Sequence, residues 1–238
     1  MRNIDISIMT ISRPENYLRD TLNSLNLENS KDGFISVNLV VGSTQLEYLE
    51  EWRDKHTIVD FKEEEWDYIK EKDIRHRLSW NYQRCLSLNI KNNQGVLIFE
   101  DDVKFARGWK KRLEKTLNAI EVSHGDNYVL ALYAAYSFFK YRTGGLFENY
   151  NIPGFYGLQG MYYPERHRKG WSEYLMDFGV RSYHTPADLL LKEYLSKNSV
   201  SLLATTPSLV QHMGRNTTGV GSWHQAPAFM DVLPEDNE

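Results

Sequence analysis

The sequence predicts an α/β fold in which a mixed, mostly parallel sheet is flanked by helices. Three observations carry that prediction. The chain opens on a strand, a short turn and a helix, which is the start of a βαβ unit. Strand-like and helix-like segments then alternate as far as Ala134. Gly95-Val96-Leu97-Ile98-Phe99 is a near-continuous apolar run, the pattern of a central parallel strand covered on both faces.

Ile4 to Ile11 alternates and is rich in β-branched residues, so it reads as a buried first strand. Ser12 is a good N-cap, Pro14 suits a first helical turn, and Glu15 completes a capping box three residues after Ser12. The helix so started runs to about Leu27, with Leu18, Leu22 and Leu25 inward. Val37 to Val41 reads as a strand, Gln45 to Lys55 as a helix, and Thr57 to Phe61 as a short strand. Glu63-Glu64-Glu65 reads as a solvated loop or helix start. Arg75 to Ile90 is helical, with Leu78, Tyr82, Cys85 and Leu86 on one face. The apolar strand at 95–99 ends abruptly in Glu100-Asp101-Asp102. A helix from Gly108 to Ile120 follows, then a buried strand from Tyr128 to Ala134. Beyond it, Gly154 to Gly160 is a Gly- and aromatic-rich connection. Pro164 to Met176 and Pro186 to Ser196 read as helices, and Ser199 to Thr205 and Ser208 to His212 as short strands. After Gly214 the composition is that of a loop.

With 238 residues, no repeat and no linker-like stretch, the chain reads as one domain large enough for a core without disulfides. It carries 28 Lys+Arg against 32 Asp+Glu, a net charge of -4, which argues against a nucleic-acid binder. Cys85 has no second cysteine to pair with. No secretory leader is visible, and no run reaches the roughly 18 apolar residues of a membrane span, so a cytoplasmic protein without an integral membrane segment is expected. Aromatics make up 13%, including 15 Tyr, and core packing accounts for most of them.

Three places hold chemistry. Glu100-Asp101-Asp102 lies at the carboxyl end of a strand, where open α/β sheets bind ligands. Three adjacent carboxylates repel one another. A divalent cation such as Mg²⁺ or Mn²⁺ would offset that, and so would a helix N-terminus capped by the turn. His212 ends a short apolar strand before Gly214, a position suited to a metal ligand or to a satisfied, partly buried histidine. Asp188 stands in the first turn of a predicted helix, as a general base aimed into a cleft or as an acid favoured by the helix dipole.

Taken together and in order, these segments resemble the GT-A (Rossmann-like) glycosyltransferases, most closely the N-acetylglucosaminyltransferase IV type (family GT54). Thr10-Ile11-Ser12-Arg13 is similar to that family's opening strand and helix. Arg77-Leu78-Ser79-Trp80-Asn81-Tyr82-Gln83-Arg84-Cys85 resembles its Arg-x-x-x-Asn-Leu-x-x-Cys helix, with Tyr82 for Leu. Phe99-Glu100-Asp101-Asp102-Val103 resembles its metal motif, and Leu209-Val210-Gln211-His212-Met213-Gly214 its Leu-Phe-Gln-His-Val-Gly. Ala187-Asp188-Leu189-Leu190-Leu191 is a looser match. Met161 to Tyr183, which includes Arg166-His167-Arg168-Lys169, does not match, so that family's acceptor does not carry over.

The resemblance implies a glycosyltransferase that uses a UDP-sugar donor, Mn²⁺ or Mg²⁺, and a glycan acceptor, with inversion. It divides the chain into a nucleotide-binding half (1–105), an acceptor-side half (106–214) and a C-terminal loop or lid (215–238). Asp102 and His212 are expected to bind the metal. Glu100 or Asp101 is expected to contact the ribose or orient a metal-bound water. Thr10, Ser12 and Arg13 are expected around the nucleotide, with Arg77 and Asn81 pointing at the donor from one helix face. Asp188 is the expected base. Arg215, with Asn216, Thr217, Thr218, Gly219 and Gly221, is expected to close over the diphosphate and bring Trp223 and His224 inward. Two other functions fit parts of the pattern. A metal-dependent nucleotidyltransferase needs a Gly-rich phosphate loop, and Thr10-Ile11-Ser12-Arg13-Pro14 has no glycine. A non-catalytic carbohydrate-binding module suits the aromatics but has no need of the acidic turn and His212 together. The sugar, the linkage and the oligomeric state are not fixed by sequence.

Overall fold

The computed structural model describes residues 4–25, 34–88, 95–135, 139, 144–181, 185–215 and 224–233. They form the expected α/β arrangement, a mixed, mostly parallel sheet covered by helices. The strands are β1 (Ile4–Thr10), β2 (Phe34–Val41), β3 (Thr57–Val59), β4 (Gly95–Glu100), β5 (Val103–Phe105), β6 (Tyr128–Ala131), β7 (Phe147–Asn149), β8 (Gly160–Tyr163), β9 (Ser201–Thr205) and β10 (Val210–His212). The helices are α1 (Tyr17–Leu25), α2 (Glu63–Ile69), α3 (Ile74–Ser87), α4 (Trp109–His124), α5 (Glu165–Leu175) and α6 (Ala187–Lys197). The main sheet runs β3-β2-β1-β4-β8-β6-β9-β7, with β8 and β7 antiparallel to their neighbours and every other pair parallel. A separate two-stranded antiparallel ribbon joins β5 to β10.

Strand alternation gives the sheet two apolar faces. Ile6, Ile8, Leu97 and Phe99 face one core with α1 and α4. Val96, Ile98, Met161 and Tyr163 face the other with α3, α5 and α6. Trp171 is the largest fully buried side chain and anchors the second core. Among the described residues no helix is long and apolar enough to cross a membrane.

Several local expectations shift. The first helix starts at Tyr17, and the side chain of Asn16 accepts from the Arg19 N–H (3.3 Å). Ser12 does not cap it, because it lies five positions before Tyr17, in the turn that leaves β1, where its N–H donates to the Ser43 hydroxyl (3.1 Å). Residues 45–55 form a 3₁₀ turn over Glu47–Trp52 in place of an α-helix. The acidic run at 63–65 is the first turn of α2, where carboxylates favour the helix dipole. α3 is capped by Asp73, whose carboxylate accepts from the N–H groups of Arg75 (2.8 Å) and His76 (3.2 Å). α5 runs on into a π-helical turn, Met176–Arg181. Strands β5, β7 and β8 are additions; each has three or four residues, too few to show a period of two. The expected ends of the first helix (26–27) and of the third (89–90) lie outside the described residues.

Candidate functional site

Register builds the site. In the parallel pair β1–β4, Met9 lies opposite Glu100, so the residues leaving β1 meet the acidic turn leaving β4. That turn is fixed from below by the buried Thr21 hydroxyl. It sits 2.8 Å from the carbonyls of both Asp101 and Val103 and accepts from the Val103 N–H (3.1 Å). The β5–β10 ribbon pairs Val103 with His212, and Met213 N–H donates to the Asp102 carbonyl (2.8 Å). A histidine 110 positions downstream is thereby set beside Asp102, with Nε2 3.4 Å from Oδ2.

The three carboxylates have different tasks. Asp101 is buried and saturated. Its Oδ2 accepts from the Thr10 hydroxyl (2.8 Å) and Ile11 N–H (3.2 Å), and its Oδ1 accepts from Arg13. Asp102 is also buried; Oδ2 receives Arg13 (2.9 Å), while Oδ1 has no hydrogen-bond partner among the described residues. Glu100, Asp102 and His212 each offer a ligand atom, all within 4.8 Å of one another. One imidazole and two carboxylates are a donor set that can hold a divalent cation, and a buried, unpartnered carboxylate oxygen is the kind of atom a cation satisfies. The space beside them depends on Gly214, where a Cβ would overlap Asp102 Oδ2 and come within 3.1 Å of His212 Nε2.

The electrostatics follow from burial and neighbours. Burial, and then the charge of Asp102, push Glu100 up to about 7. Burial pushes Asp101 up to about 6, with Arg13 opposing. Burial would raise Asp102 too, but the His212 hydrogen bond and the charge of Arg13 outweigh it and hold the carboxyl below its usual range. Burial would lower His212, and Asp102 and Glu100 overcome that and raise it. Its Nδ1 faces the His224 carbonyl (3.3 Å), and His224 Nδ1 in turn lies 2.6 Å from the Tyr133 hydroxyl.

Glu100, Asp101, Asp102, His212 and His224 line a cleft of about 510 Å³. Asn81 and Tyr82 from α3, Tyr156 and Gly157 from the loop before β8, and Asp188 from the first turn of α6 form other parts of its wall. Asp188 is half-buried; Oδ1 accepts from Leu189 N–H (2.9 Å) and Oδ2 lies 3.5 Å from Gly157 N. Gly157 has φ of +82°, a conformation a glycine adopts without strain.

Of the residues expected from sequence, Thr10, Arg13, Asn81, Glu100, Asp101, Asp102, Asp188 and His212 share this cleft. Asn81 is held by Val40 O (3.4 Å) and by Arg84, which donates to its side-chain oxygen (3.1 Å). Ser12, Arg77 and Arg215 are not in its wall. On α3 the wall instead takes Arg75, Leu78, Asn81 and Tyr82, so Arg77 points elsewhere and its Nε is buried. Arg215 is exposed, and its N–H lies 3.5 Å from the Tyr17 hydroxyl. His224 does reach the cleft, whereas Asn216, Thr217, Thr218, Gly219, Gly221 and Trp223 lie outside the described residues. Sequence reading missed Arg75, Tyr156 and Gln159. Only the Gly-rich, aromatic composition of 154–160 signalled the last two.

No protein-family model matches the chain, and no curated protein does. Among solved structures it is similar to the crystal structure of S. aureus TarS 1-349. The TM-score is 0.53 at 14% identity, over 86% of this chain and 58% of that one. The chain thus spans little more than half the length of that structure. At such identity the likeness shows the fold, the Rossmann-like GT-A arrangement, and does not single out the GT54 type.

Proposed function

We propose that the chain is a metal-dependent glycosyltransferase that moves a sugar from a UDP-sugar to a glycan hydroxyl with inversion. The observation that carries this reading is the Glu100–Asp102–His212 cluster, with its unpartnered Asp102 oxygen, in a cleft at the carboxyl edge of a GT-A sheet. Glu100, Asp102 and His212 would hold the cation. When bound, a divalent cation neutralises charge on a departing diphosphate. Thr10 and Asn81 line the part of the cleft where the strand ends of β1 and β2 would receive the nucleoside. Asp188 takes the proton of the acceptor hydroxyl at a carboxylate oxygen. The acceptor oxygen forms its bond to the anomeric carbon, and the bond from that carbon to the diphosphate oxygen breaks, leaving its electron pair on UDP. Base help of this kind is worth about 10²- to 10⁴-fold.

The test is thermal unfolding against a panel of nucleotide diphosphate sugars, with and without Mn²⁺. A ligand at 100 times its Kd stabilises by about 2.7 kcal/mol, a rise of about 5–10 °C for a domain of this size. A rise confined to UDP-sugars with metal supports the reading. Folded protein with no rise for any nucleotide rejects it in favour of a binding module.

A further inference from the structure

Arg13 already sits as a cation on the carboxylate that a metal ion would share. One terminal nitrogen holds Asp102 Oδ2 at 2.9 Å and the other holds Asp101 Oδ1. The same Asp102 oxygen lies 3.4 Å from His212 Nε2, so the guanidinium sits on the oxygen that faces the imidazole. We propose that Arg13 is the counter-ion of the aspartate pair in the metal-free protein and passes to the donor's diphosphate when a divalent cation binds, so that it couples the two ligands. This rests on the reading of Glu100, Asp102 and His212 as the cation site.

Three features make the hand-over physical. A doubly charged cation beside a guanidinium is repelled by it, and both draw on the same carboxylate, so arrival of one weakens the hold of the other. Asp101 is not stranded when Arg13 leaves, because Thr10 and Ile11 still donate to it. The guanidinium also has spare capacity. Its Nε is buried with no hydrogen-bond partner among the described residues, and its carbon lies 5.4 Å from the centroid of the Tyr17 ring, a face on which it can turn. Phosphate oxygens match the planar donor fork of arginine, and Arg13 lines the cleft that the diphosphate would enter. Binding free energies are reciprocal, so if UDP takes Arg13 away from Asp102, it strengthens cation binding by the factor by which the cation strengthens UDP binding.

The experiment is calorimetric titration of Mn²⁺ into wild type, Arg13→Gln and Arg13→Lys, each alone and with saturating UDP, with folding checked by circular dichroism. The Gln variant is expected to bind Mn²⁺ alone about tenfold more tightly than wild type, since a competing cation is gone. It is also expected to lose most of the UDP enhancement, which in wild type should reach about tenfold. The Lys variant keeps the charge without the fork; it is expected to bind Mn²⁺ alone as wild type does and to keep only part of the enhancement. If Gln does not fold, the Lys variant decides. An enhancement equal to that of wild type overturns the proposal, as does weaker Mn²⁺ binding by a folded Gln variant. If wild type binds no Mn²⁺ with or without UDP, the cation site itself fails and the proposal falls with it. If wild type binds both and the variants couple normally, the proposal alone falls.

Discussion

Moving the pH from 8 to 6 should weaken Mn²⁺ binding, and the structure gives the size. A cation needs Glu100 and Asp102 ionised and His212 neutral. Burial and the charge of Asp102 place Glu100 at about 7. With that value about nine-tenths of Glu100 is ionised at pH 8 and about one-tenth at pH 6, so the loss from this group alone is about tenfold, or about 1.4 kcal/mol. His212, despite the opposing effect of burial, is raised by Asp102, so it too must release its proton, and its contribution has the same sign. Asp102 is held below its usual range because His212 and Arg13 outweigh burial, so it stays ionised throughout and adds no slope. Calorimetry in two buffers of different ionisation enthalpy counts the protons released. The expected count is one or more at pH 6, falling towards zero as the pH rises past 8. Glu100→Gln should remove its share and leave the His212 share. A Kd that is flat or tightens as pH falls would refute the assignment of the ligands. A Gln variant with the wild-type slope would remove Glu100 from the set.

Gly214→Ala should abolish Mn²⁺ binding in a folded protein, because the added Cβ overlaps Asp102 Oδ2 and crowds His212 Nε2; binding within threefold of wild type by titration would mean that the space beside the cluster is not used. Asp188→Asn should leave UDP-sugar binding within about twofold and lower transfer by about 10²-fold or more, measured as UDP release. Transfer at the normal rate would show that Asp188 is not the base.

What sequence could and could not reveal follows from the range of each interaction. The apolar run at 95–99 with its abrupt acidic end is a local pattern, and it located β4 and the acidic turn that follows it. The task of Asp101 was not local. Its carboxylate is taken by Thr10, Ile11 and Arg13, about ninety positions earlier, and only the β1–β4 register brings them together. Arg77 illustrates a different limit. Spacing of four places it on the same face as Asn81, but a helical face is broad, and the helix is rotated so that Leu78, Asn81 and Tyr82 line the cleft and Arg77 does not. The short strands fail for a third reason. Gly160 to Tyr163 is fixed by pairing with β4 and β6 on either side, not by its own alternation. That pairing carries Tyr156 and Gly157 into the wall of the cleft that an acidic turn some fifty residues earlier in the chain also lines. The part of the wall built on the ends of β1 and β4 was therefore legible from motifs. The part that holds Tyr156 and Gly157 depends on an antiparallel insertion, β8, whose partners no local pattern names.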